Sequence, residues 1–173
     1  MYGLGCCAQF GGPIFKNAAA QVMQSIQQVM GAPNARSKEN VMATDNAVSA
    51  LGKTIEFHSD SIGDRAVAMQ AFLSYLPVTG DAAEGAVVHT RLLTFLENGE
   101  PVVFENPEQW LPKILNVLAE VLDTEAFDEG GSARWKQLML RLQQDAHLGG
   151  ITAKAFQSLD ASGQSKINTL MAA

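Results

Sequence analysis

The stretch KENVMATDNAVSALGKTIEF, Lys38–Phe57, sets the reading of the whole chain. Within it Val41, Val48, Leu51 and Ile55 recur nearly every 3.5 residues, and Ala47 and Ala50 widen the stripe. Ser37, just before it, is a natural N-cap, so the spacing predicts an amphipathic helix over about 37–57. Opposite that stripe Asp45, Ser49 and Lys53 step by four, with Asn46 and Glu56 alongside, and this polar face is expected to point away from the packing.

Working outward, the same period recurs on both sides. Phe15, Ala18, Ala19, Val22, Ile26, Val29 and Met30, between Gly12-Pro13 and Gly31, predict a helix over 13–30. Downstream, Val67, Met69, Phe72, Leu73 and Leu76 predict one over about 62–76, ended by Pro77 because the residue before a proline avoids the α region. Asp81 with Glu84 reads as a capping box for a fourth helix carrying Val88, Leu92, Phe95 and Leu96, stopped by Asn98-Gly99. Asn106-Pro107-Glu108 supplies a cap, a proline at the first helical position and a first-turn acid for a fifth, with Leu111, Ile114, Leu115, Leu118 and Leu122 in register. Gly130-Gly131-Ser132 restarts the chain for a sixth along Trp135, Leu138, Met139, Leu142 and Ala146, with Gly149-Gly150 as its stop, and two short helices follow at about 152–158 and 160–172. No run alternates as a strand would, so the fold class is all-α.

The helix starts recur as well. Pro13, about Ile62 and Pro107 open one set, while Ser37, Asp81 and Ser132 open the other, each spaced in the forties to about fifty. Two helices per period of that length is the signature of HEAT-type stacking, in which no pair buries its own apolar face, whereas a compact bundle has no reason to repeat its starts. The expected organisation is a single α-solenoid: 1–11 as the end of a truncated repeat, helix pairs over 12–58, 59–99 and 100–147, and a helical cap over 148–173.

Composition bounds the function. With 173 residues, 47% apolar and only 17% charged, the chain has surface enough to bury and is not disordered. No apolar run approaches the ~20 residues of a membrane span, so no membrane is expected as a partner. A net charge of −6 argues against direct nucleic-acid binding, and Asp81–Glu129 gathers eleven acids against two bases, a block that reads first as solvated loop and cap charges and otherwise as an attraction for a basic partner. Adjacent Cys6 and Cys7 point about 100° apart on a helix and read as reduced thiols.

Catalytic chemistry finds no foothold. His58, His89 and His147 fall in different helix pairs without ligand-spaced partners. Gly3-Leu4-Gly5-Cys6-Cys7-Ala8 lacks the third glycine of a dinucleotide fingerprint, and the acidic run Asp123–Asp128 lacks the turn glycine of a calcium loop. Trp110 and Trp135 lie on or beside the apolar stripes, as core anchors do. The expectation is a protein that is not an enzyme, without metal or cofactor. Function then falls to the polar sides of the second helices: Asp45, Asn46, Ser49 and Lys53, then Thr90, Arg91 and Thr94, then Arg141 and Gln144, which either form a partner-binding ladder along one wall of the stack or merely solvate their helices.

The wording of these segments adds a resemblance. YGLGCCAQFGG at Tyr2–Gly12, the Lys38–Phe57 stretch, FLSYLP at Phe72–Pro77, LENGEPVV leading into WLPKILNVLAEVL at Trp110–Leu122, and the closing AFQSLDASGQSKINTLMAA resemble the C-terminal HEAT repeats of the importin-beta (karyopherin-beta) superfamily, with the importin-five branch nearest. Where that family usually has a tryptophan before the Leu-Pro turn, this chain has Phe72 and Tyr75. The resemblance implies the C-terminal part of a nuclear transport receptor that shuttles between cytoplasm and nucleus. It also implies cargo proteins on the inner wall, phenylalanine-glycine nucleoporins between outer helices, and Ran-GTP bound mainly through N-terminal repeats outside this sequence. The alternative is a general HEAT-repeat adaptor for cytosolic complexes.

Overall fold

A computed structural model describes residues 1–172. Among the described residues every regular element is helical and there is no strand, so the all-α reading holds, consistent with a helical-repeat fold. Ala173, the last residue of the expected cap, lies outside the described residues. No helix among them is long and apolar enough to cross a membrane. The chain forms two compact units, Met1–Val88 and a second that begins at His89.

The first unit is built around one helix. Tyr2–Phe10 (α1), Gly12–Met30 (α2), Val41–His58 (α3) and Arg65–Tyr75 (α4) are followed by the first part of Ala82–Glu97 (α5). α3 packs against α1, α2 and α4, and twelve of its eighteen residues are buried. Val48, Leu51 and Ile55 are in the core as the stripe predicts, together with Phe15, Val22 and Ile26 of α2 and Met69, Phe72 and Leu73 of α4. Each such fully buried side chain contributes roughly 1.5–3 kcal/mol. Two His58 contacts tie this packing to the N-terminus: its Nε2 lies 2.8 Å from the Ala8 carbonyl oxygen, and its ring centroid is 4.5 Å from that of Phe15.

The second unit holds the rest of α5, then Pro101–Phe104 (α6), Pro107–Val121 (α7), Ser132–Gln144 (α8), Leu148–Gln157 (α9) and Ala161–Ala172 (α10). α7 is its centre, set against α6, α9 and α10, while α8 also touches α9 and α10. Trp110 and Trp135 are buried, as expected of core anchors, beside Leu111, Ile114, Leu115 and Leu118.

Boundaries differ where local chemistry outweighs periodicity. α3 starts at Val41 and not at 37, because residues 31–40 form tight turns. Instead of capping the helix, the Ser37 carbonyl accepts from Asn40 N at 3.0 Å and Val41 N at 2.8 Å. Gly149-Gly150 does not stop the sixth helix. α8 ends at Gln144, Ala146 is exposed, and both glycines sit in the first turn of α9, since Asp145 Oδ1 accepts from His147 N (2.8 Å) and Leu148 N (2.9 Å) and starts a new helix there. Val67 and Ala18, placed on the buried stripes, are exposed. By contrast Asn98-Gly99 ends α5 as expected, Gly99 taking the left-handed conformation at φ 74° that a side chain would strain.

Candidate partner-binding surface

In the first unit the polar residues of α3 are turned inward. Asp45 is fully buried, and its Oδ2 accepts from the backbone N–H groups of Gly80 (2.7 Å) and Asp81 (3.1 Å), clasping the turn between α4 and α5. Arg36 Nη1 stands 3.8 Å from Asp45 Oδ1. Burial pushes the Asp45 carboxyl above the usual range; the Gly80 and Asp81 bonds and the Arg36 charge oppose that push. Gly80 is needed for this approach: a Cβ there would stand 2.7 Å from Val41 Cγ2 and 2.9 Å from Asp45 Oδ2. Arg36 also donates to the Tyr75 carbonyl and lies 5.0 Å over the Tyr75 ring, whose hydroxyl donates to the Met30 carbonyl.

Two turns further along α3, Lys53 Nζ pairs with Glu84 Oε2 at 3.5 Å, both side chains nearly buried, with the Tyr2 ring 5.9 Å from the ammonium. Between them Ser49 is buried, its hydroxyl without a hydrogen-bond partner among the described residues. Asn46 is half-buried and donates to Met42 O (2.8 Å) and Asp81 Oδ2 (3.1 Å). The outward ladder of Asp45, Ser49 and Lys53 is therefore corrected: all three are buried and not open to a partner, Asp45 and Lys53 joining α3 to the turn at Gly80-Asp81 and to α5. Two neighbours close over this face: the Gly80-Asp81 turn and Glu84 of α5 take up Asp45 and Lys53, and α1, expected as the stub of a lost repeat, lies on α3 with Gly5 so close that a Cβ would stand 3.3 Å from Lys53 Cδ.

The capping box at Asp81 is half made. Asp81 Oδ1 accepts from Glu84 N at 3.2 Å, but the Asp81 N–H goes to Asp45, leaving the Glu84 carboxylate for Lys53.

In the second unit the candidates are more open. Thr90, Arg91 and Thr94 are half-buried, whereas Arg141 and Gln144 are exposed. Thr90 Oγ1 donates to Asp128 Oδ2 at 3.4 Å, and Thr94 Oγ1 accepts from Arg134 Nη2 at 2.9 Å. Arg134 is the residue sequence reading missed: its Nε and Nη2 grip Glu97 Oε1 and Oε2 at 3.2 and 2.5 Å, a fork between α8 and α5. Hydrogen bonding from Arg134 holds Glu97 below the usual carboxylate range, with the charges of Arg134 and Arg141 adding to it. His89 is buried, with Nδ1 2.8 Å from the Ala126 carbonyl oxygen, and burial lowers its pKa against the pull of that bond. Among the described residues no three His, Cys, Asp or Glu side chains are placed to hold a metal ion.

What remains open are grooves. Between α2 and α4 runs an apolar one of about 330 Å³, walled by Met23, Ile26 and Met30 on one side and Val67, Ala71 and Tyr75 on the other, with the buried Leu51 of α3 at its floor.

No family model matches the chain. It is 25% identical over 130 residues to a protein named probable importin-5 homolog from Dictyostelium discoideum, covering 73% of this chain and 12% of that protein. It is also 22% identical over 102 residues to importin subunit beta-3 of Saccharomyces cerevisiae, 59% of this chain and 9% of that one. The chain thus spans about a tenth of the length of the curated relatives it matches, and both are importins.

Proposed function

We propose that this chain is part of a nuclear transport receptor of the importin-beta superfamily, a non-enzymatic helical scaffold that shuttles between cytoplasm and nucleus and binds the phenylalanine-glycine repeats of pore proteins. The observation that carries the reading is the apolar groove between α2 and α4. It is large enough for a phenyl ring, and it lies between two neighbouring helices that both rest on α3. Val67, at 55% exposure, is a large aliphatic side chain left at its rim, which an incoming ring would cover. The importin relatives support the same reading, and the open candidates Arg141 and Gln144 are where cargo proteins would meet the second unit.

The test is retention on immobilised phenylalanine-glycine repeats. The wild-type chain is retained, and Val67→Asp, an exposed substitution that leaves the fold intact, releases it. If the wild-type chain passes through, the pore-protein reading fails and a general helical-repeat adaptor is left. Ran-GTP is expected to bind this chain only weakly, and low-nanomolar affinity would refute that part.

A further inference from the structure

A second groove, of about 250 Å³, lies in the unit that begins at His89, at the meeting of the C-terminal ends of α5 and α8 with α6 and the start of α9. Leu96, Leu138 and Leu142 form its nearly buried floor, and the half-buried Phe104 and Leu148 flank it. A leucine-sized side chain fits such a space, and the apolar walls favour one.

The rim is charged, and its charges are unequally engaged. Glu97 is gripped at both oxygens by Arg134. Asp145 remains an exposed carboxylate, with Oδ1 spent on the N–H groups of His147 and Leu148 at the start of α9. Arg141 is exposed, and although its charge acts on the neighbouring Glu97, its guanidinium makes no hydrogen bond among the described residues. An arginine fork held out over an apolar floor is complementary to a carboxylate that follows an apolar anchor, since it can take both oxygens at once. From this we infer that the groove binds a short linear peptide of a partner protein, with one large aliphatic side chain seated between Leu138 and Leu142 and a neighbouring carboxylate on Arg141. This site is separate from the α2–α4 groove and takes a partner of different chemistry, so it stands or falls independently of pore-protein binding.

Fluorescence anisotropy of the whole chain with a blocked, labelled hexapeptide, GDLLDS, tests it, with GKLLKS and GDSSDS as matched controls. GDLLDS is expected to bind and both controls to fail. Binding should weaken as sodium chloride is raised, and Arg141→Glu should weaken it about tenfold, a change of about 1.4 kcal/mol. Arg141→Lys should keep most of the affinity for the charge while losing the fork. Backbone amide shifts on adding peptide should fall on α8 and the end of α5. Absence of GDLLDS binding at millimolar peptide overturns the inference, as do equal binding of GKLLKS, an Arg141→Glu chain that binds unchanged, or shifts confined to the α2–α4 groove.

Discussion

Replacing Asp45 by alanine separates an inward clasp from an outward ligand. On an open helix face the change would alter stability by no more than about 0.5 kcal/mol in either direction. In the structure it strips the acceptor from Gly80 N and Asp81 N at 2.7 and 3.1 Å. A donor left without its partner costs about 1–3 kcal/mol when buried. Because this turn is only partly buried, water can reach both groups and the low end applies to each, so Asp45→Ala is expected to lose about 2 kcal/mol. Asp45→Asn behaves differently: its amide oxygen still accepts from both N–H groups, and the buried charge is gone. Its expected loss is under about 1 kcal/mol, the remainder being the Arg36 attraction.

The two variants also predict a pH dependence. The Asp45 pKa is raised in the folded state, so the fold takes up a proton more readily than the unfolded chain, and the Asp45 contribution improves as pH falls through that raised value. The wild-type chain should therefore gain on Asp45→Asn between pH 7 and the acid side, while other carboxylates cancel in the comparison. Urea midpoints by far-UV circular dichroism suit the measurement, since Trp110 and Trp135 both lie in the other unit. An alanine variant within 0.5 kcal/mol of wild type would refute the clasp.

Two further predictions follow from the same polar contacts. Lys53→Met alone strands a nearly buried Glu84 and should cost about 3 kcal/mol, whereas Lys53→Met with Glu84→Leu should recover most of that, a double-mutant cycle in urea measuring the coupling. His89 has its pKa lowered by burial, so its stabilising contribution is complete above the ordinary histidine value and is lost as pH falls below it; His89→Gln should flatten the fall in urea midpoint between pH 7.5 and 5.5, and an unchanged slope would exclude His89 as its source.

Much of the fold was legible because helix-forming signals are local. Val48, Leu51 and Ile55 found the core from spacing alone, Asp81 does bond Glu84 N, and Asn98-Gly99 ends α5. What misled was the assumption that a helix has one packed side. Asp45, Ser49 and Lys53 look outward-facing when α3 is read by itself, and the Gly80-Asp81 turn, Glu84 of α5 and α1, all distant in sequence, make them interior. Gly5 and Ala8, small and three apart, were the available sign of a close helix approach. Asp145 shows the reverse: two adjacent glycines signal a stop in the sequence, yet one carboxylate starts a helix through them. The site fared worse than the fold because a ladder of polar residues carries no mark of whether its partner is another protein or the next helix. Arg134, which forks onto Glu97, carries no such mark either.

The tight seat of Gly80 against Val41 and Asp45 makes a statement about descent. Across related sequences the three columns should be inherited together: a lineage that keeps the valine and the acid where Val41 and Asp45 stand should tolerate nothing larger than hydrogen at the facing turn, and one that gains a side chain there should already have trimmed both.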